Sequence, residues 1–110
     1  MDFNACVTEI ELMAGSVVEV TIFGADGDLV AILHGVLQRS VRAPWPEAAK
    51  EFANPESAAV EFDVGSDATT FALWPDRFES AERRSYDDRI VFRAPGVTYV
   101  IGPPSRPWTD

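Results

Sequence analysis

Apolar and polar positions alternate most cleanly over residues 17–23, VVEVTIF, with Val18, Val20 and Ile22 on one side and Glu19 and Thr21 on the other. A repeat of two is that of a half-buried antiparallel strand. A second run, LVAILHGVL at residues 29–37, follows the connector Gly24-Ala25-Asp26-Gly27-Asp28. Two β-rich runs joined by a Gly/Asp connector predict a β-hairpin. The second run is almost continuously apolar, which predicts a central strand or one covered on both faces. Gly35 within it predicts a bulge or sharp bend where the sheet curves and closes, because glycine lacks the Cβ that resists curvature.

The rest of the chain is punctuated the same way. Phe3, Val7, Ile10 and Met13 recur at spacings of three and four, favouring a short opening helix over a strand across residues 3–13. That segment breaks at Ala14-Gly15-Ser16. Residues 46–53 read as a two-turn helix, with Pro46 first, acids in the opening turn and Asn54-Pro55 as its stop. Val60, Phe62 and Val64 alternate with Glu61 and Asp63 across residues 58–64. A turn at Gly65-Ser66-Asp67 then returns the chain as a partner strand at 69–74. Residues 75–88, PDRFESAERRSYDD, are polar and predict one helical turn or a long exposed loop. Residues 89–94 and 97–102 form a second hairpin across Pro95-Gly96.

Six short strands with one or two short helices predict a mainly β protein: a small, strongly bent antiparallel sheet or barrel. Residues 1–102 form a single β domain, and 103–110 a proline-rich, extended C-terminal tail. Its 110 residues suffice for one core.

Charge narrows the partners. There are 18 acidic residues against 9 basic ones, a net charge of −9. Nucleic-acid affinity rests on Lys and Arg displacing counterions, so a nucleic-acid partner is disfavoured. The acids are spread through the first four fifths of the chain, as a solubilising surface or as a face for a basic partner. Residues 1–6 lack the basic and apolar regions of a signal peptide, and no apolar run reaches membrane-spanning length, so a cytoplasmic protein without a membrane partner is expected.

Two blocks resemble Sm-like proteins. Gly15-Ser16-Val17-Val18-Glu19-Val20-Thr21-Ile22, the Asp26-Gly27 turn and Gly35-Val36-Leu37 are similar to the first motif of that family. Ile90-Val91-Phe92-Arg93 with Val97-Thr98-Tyr99-Val100-Ile101 is similar to the second. The resemblance implies an opening helix and a strongly bent five-stranded sheet capable of ring assembly. It does not extend to RNA contact, because Gln38-Arg39-Ser40 stand where the family carries its Asp and Asn, and Arg93-Ala94-Pro95-Gly96 replaces its Arg-Gly step.

Candidate chemistry is sparse. His34, the only histidine, sits in an apolar run with no nucleophile or carboxylate two residues away on either side, and reads as structural. Cys6, the only cysteine, excludes an internal disulfide and reads as a small buried hydrophobe. Asp26-Gly27-Asp28 lacks the alternating oxygen ligands and closing Glu of a calcium loop, and reads as a turn. Glu79, Glu82, Asp87 and Asp88 lie among Arg77, Arg83, Arg84 and Arg89, a mixture that predicts a self-neutralising solvated patch. No cofactor or metal is implied.

Each tryptophan adjoins proline, as Pro44-Trp45-Pro46, Trp74-Pro75 and Pro107-Trp108. A stiffened backbone beside a large amphipathic ring suits either the capping of a barrel end or an interface anchor. The expected role is a non-catalytic assembly or protein-interaction module, with a homo-oligomer or protein partner and Trp45, Trp108, Tyr99 and Phe78 as contact candidates. The alternatives are an acidic inhibitor or immunity-type protein binding a basic partner, and a small-ligand-binding barrel.

Overall fold

In the computed structural model, the described residues are 1–38, 41–42, 60–65 and 69–104, with only the backbone described at 41–42. The expected helix at 46–53, the Ser66-Asp67 turn and the tail from residue 105 lie outside them.

Asp2 starts the first element. Its carboxylate accepts a hydrogen bond from the Ala5 N–H at 2.7 Å, capping helix α1, Phe3–Glu11. Cys6 and Ile10, one turn apart, form its buried face. At the tip of the first hairpin, Asp26 accepts from the Asp28 N–H, and the Gly24 N–H donates to the Asp28 carbonyl. The bond from Asp28 holds the exposed Asp26 carboxyl below its ordinary range. Gly27 supplies the positive φ of 83° that the connector needs.

The strands that follow are β1 (Val17–Gly24), β2 (Leu29–Val36), β3 (Val41–Arg42), β4 (Val60–Val64), β5 (Thr69–Leu73), β6 (Ser80–Arg84), β7 (Arg89–Ala94) and β8 (Val97–Gly102). Among the described residues they form a five-stranded antiparallel sheet, β2-β1-β8-β7-β6, and a three-stranded one, β3-β4-β5. The mainly β expectation and both hairpins therefore hold. The sheet is not closed into a barrel, because β2 and β6 end the larger sheet without pairing to each other.

The two sheets meet where the chain leaves β2. Leu37 bridges Val64, the Gly65 N–H donates to the Val36 carbonyl, and the Gln38 N–H donates to the Asp63 carbonyl, both at 2.9 Å. The same antiparallel partner is taken up again at Val41 opposite Glu61. The chain thus pairs with β1 through Val36 and with β4 beyond it. Gly35 lies at this crossing: a Cβ there would stand 2.7 Å from the Gly65 Cα. Its function is close backbone approach. The bulge expected at Gly35 is elsewhere, where the register slips between Ile22 and Phe23.

Residues 75–88 hold the single helical turn expected, and a strand that was not. A 3-10 turn occupies Pro75–Arg77, but Ser80–Arg84 is an edge strand paired along β7. Only Ala81 of that strand is buried, so its sequence carries almost no apolar signal.

The core lies between the sheets and α1. Cys6 and Ile10 join Val18, Val20, Leu37, Phe62, Leu73, Ile90, Phe92 and Ile101, all of them buried. Phe3 meets Phe78 and Phe92 edge-on, at centroid distances of 6.1 and 5.9 Å. Phe62 stacks on Phe71 at 5.3 Å.

Candidate functional site

The apolar run of residues 29–37 was expected to be central or covered on both faces. It is neither. Strand β2 is the edge of the larger sheet, and Leu29 is 56% exposed, Val30 67%, Ile32 51% and Val36 38%. Its neighbours extend the patch: Val17, opposite Val36, is exposed, and Thr21, opposite Ile32, is half-buried. Val18 and Val20, on the other face of β1, are buried. One side of the hairpin therefore holds the core, and the other presents Val17, Val30, Ile32 and Val36 to solvent beside a buried Glu19 and the half-buried His34 opposite it. The register slip sets two residues against one and breaks the alternation, which leaves both Leu29 and Val30 outside.

The backbone of β2 is oriented as well. The Leu37 N–H donates to the Ser16 carbonyl and its own carbonyl accepts from the Gly15 N–H, so Leu37 faces the β1 side. The Val36 carbonyl accepts from Gly65, so Val36 faces away. Backbone groups alternate sides along a strand, and the register with β1 is unbroken from Val36 to Ala31. Ile32 therefore turns its N–H and C=O away from β1, towards a side on which no strand is paired among the described residues.

The opposite edge is built differently. Strand β6 carries Glu82, Arg83 and Arg84, with Glu82 paired to Arg93 at 3.0 Å and Arg83 to Glu9 and Asp88 at 2.6 Å each. Charged side chains on an edge strand oppose pairing with another chain. Strand β2 has no Asp, Glu, Lys or Arg at all.

The acidic residues around β6 are largely spoken for. Asp87 pairs with Arg84 at 2.6 Å, and Arg89 reaches Glu19 at 3.5 Å, both side chains largely buried, while donating to the Pro103 carbonyl. The expected self-neutralising patch is present in Glu82, Asp87 and Asp88, each paired with an arginine, and Arg89 links it at Asp87, 3.8 Å away, to Glu19.

Nothing among the described residues assembles a reactive group. They hold no cluster of three or more His, Cys, Asp or Glu suited to a metal ion. Burial pushes the Cys6 thiol up to about 11, the opposite of what a nucleophile needs. Beside His34, Gly35, Gln38, Val64, Gly65 and Thr69 runs an open groove of about 570 Å³. A more enclosed cavity beneath Trp74, Phe92 and Tyr99 measures about 140 Å³, small against the several hundred of a typical ligand site. No described helix is long and apolar enough to cross a membrane.

Of the four contact candidates, Trp45 and Trp108 lie outside the described residues. Phe78 and Tyr99 are half-buried and packed on the core: Phe78 meets Phe92 at 5.5 Å, and Tyr99 meets Phe71 and Phe92 at 6.0 Å each. Burial raises the Tyr99 hydroxyl above its ordinary pKa. The exposed aliphatics of β2 were not among the candidates, because an uninterrupted apolar run signals burial and the sequence alone does not reveal that the strand is an edge.

Compared with known proteins, the chain matches no family model, no curated protein and no solved structure. The likeness of residues 15–37 and 90–101 to Sm-like proteins rests on those residues alone.

Proposed function

We propose that this chain is a non-catalytic assembly module that joins another protein chain through the β2 edge. One observation carries the reading. Within a single sheet, one edge strand is protected by charge, and the other is apolar and uncharged, with the backbone of Ile32 turned to a side where no strand is paired among the described residues. Edge strands of this second kind are templates for strand addition, in which main-chain hydrogen bonds give affinity and alternate side chains give selectivity. The exposed Val17, Val30, Ile32 and Val36 supply apolar contact beside the new pairing.

The reading is tested by amide hydrogen exchange at Ile32. In dilute solution its amide should exchange far faster than those of buried β7. With rising protein concentration, or on adding a bound partner, exchange should slow several-fold and Ile32→Lys should abolish the slowing. An Ile32 amide already protected in the dilute monomer would overturn it, because the edge would then be covered within the chain.

A further inference from the structure

We propose that the cavity between the tip of the β7–β8 hairpin and the end of β5 binds a small aromatic carboxylate. The ring would enter among Trp74, Phe92 and Tyr99, and the carboxylate would meet Arg77. The site is separate from the β2 edge and does not depend on what pairs there.

Size sets the ring. The cavity measures about 140 Å³, and a cavity of about 150 Å³ with apolar walls takes up benzene. Phe92 and Tyr99 stand opposite each other on β7 and β8, with centroids 6.0 Å apart and planes at 68°. Ala94 and Val97 are the next pair on the same face towards the hairpin tip, and the small Ala94 side chain leaves the space. The half-buried Trp74 lines the cavity from the end of β5. Another ring set into this corner finds both faces and edges to pack on.

Charge sets the acid. Arg83, Arg84, Arg89 and Arg93 each pair with a carboxylate of their own chain. Among the described residues, Arg77 is the one arginine side chain with no carboxylate in ion-pairing range, in a chain of 18 acids and 9 bases. The turn fixes its place at the rim of the cavity. Pro75 opens that turn, and the Arg77 N–H donates to the Trp74 carbonyl at 3.1 Å. The Glu79 N–H then donates to the Arg93 carbonyl at 2.9 Å, pinning the turn to β7. A planar guanidinium meets a carboxylate with two parallel hydrogen bonds. Tyr99 adds a second donor: its hydroxyl has no hydrogen-bond partner among the described residues, and burial keeps it protonated. One arginine in a chain of net charge −9 favours a monoanion over a phosphate dianion.

The test titrates benzoate into the full chain and follows the backbone amides by nuclear magnetic resonance. Benzoate should shift the Arg77, Ala94 and Val97 amides along one saturating curve. Arg77→Gln should weaken benzoate about tenfold and leave benzyl alcohol, the ring without the charge, unchanged. Ala94→Leu fills the cavity and should abolish both. If that variant does not fold, ligand size decides: 2-naphthoate, too large for the cavity, should bind far more weakly than benzoate. Equal affinity for benzoate and benzyl alcohol, or a benzoate affinity that Arg77→Gln leaves unaltered, would overturn the carboxylate assignment. Shifts that inorganic phosphate reproduces would overturn it in favour of surface anion binding. No saturable shift at these amides, or 2-naphthoate binding as well as benzoate, would overturn the site itself.

Discussion

At the scale of single residues, two glycines that look alike in sequence carry different constraints. Gly35 admits no Cβ because the backbone of Gly65 lies 2.7 Å from where it would stand, and backbone cannot swing aside. Gly65 has room, with its nearest neighbour at 3.8 Å, but holds a φ of 78° that other residues resist. Gly35→Ala should therefore cost about 3 kcal/mol as an overpacked contact, and Gly65→Ala about 1 kcal/mol as left-handed strain. Urea unfolding of the two variants measures the order, and equal costs would contradict it. The importance of Gly35 was legible in an apolar run; its reason was not, because the contact is with a residue remote in sequence.

Cys6 shows the reverse case, where composition and position sufficed. Its thiol is neutral in the fold up to about pH 11 but ionises near 9 once unfolded. The stability this contributes is complete below pH 9 and is lost as pH rises from 9 to 11, by about 2–3 kcal/mol. Chemical denaturation at pH 8, 9.5 and 11 should show that slope, and Cys6→Ala should flatten it. The Glu19–Arg89 pair was invisible in sequence, since its members sit on different strands. Arg89→Met takes the guanidinium away from a buried carboxylate and should cost about 3 kcal/mol, much of it recovered in the double variant with Glu19→Met.

At the scale of elements, the apolar patterns located six of the eight strands and missed β6 and the two-residue β3. Strand β6 has a single buried side chain, Ala81, and its pairing to β7 is a matter of main-chain hydrogen bonds that no residue pattern announces. Strand β2 failed differently: its apolar residues were seen, and the inference from apolar to covered was wrong, because this strand ends the sheet. The two edges give a paired prediction. Glu82→Val with Arg84→Val would turn β6 into a second apolar edge, and light scattering should then show open-ended aggregation. Ile32→Lys on β2 should reduce association. If both changes left the mass unaltered, edge pairing would play no part in assembly.

At the scale of the whole molecule, the acidic balance and the apolar edge act against each other, and salt separates them. Two copies at net charge −9 meet through a long-range repulsion that counterions screen, while strand pairing and aliphatic contact are short-ranged. The screening length falls from about 30 Å at 0.01 M salt to about 8 Å at 0.15 M. Any self-association through β2 should therefore strengthen several-fold over that range, as measured by sedimentation equilibrium. An acidic face built for a basic partner has the opposite sign, because salt weakens attraction between unlike charges. The structure already takes Glu82, Asp87 and Asp88 out of such a face by pairing each with an arginine of its own chain. What remains uncompensated is spread charge, which keeps copies apart until they meet at an edge strand that carries none. Association that weakened with added salt would mean that charge attracts the partner, and the uncharged edge would lose its place as the docking surface.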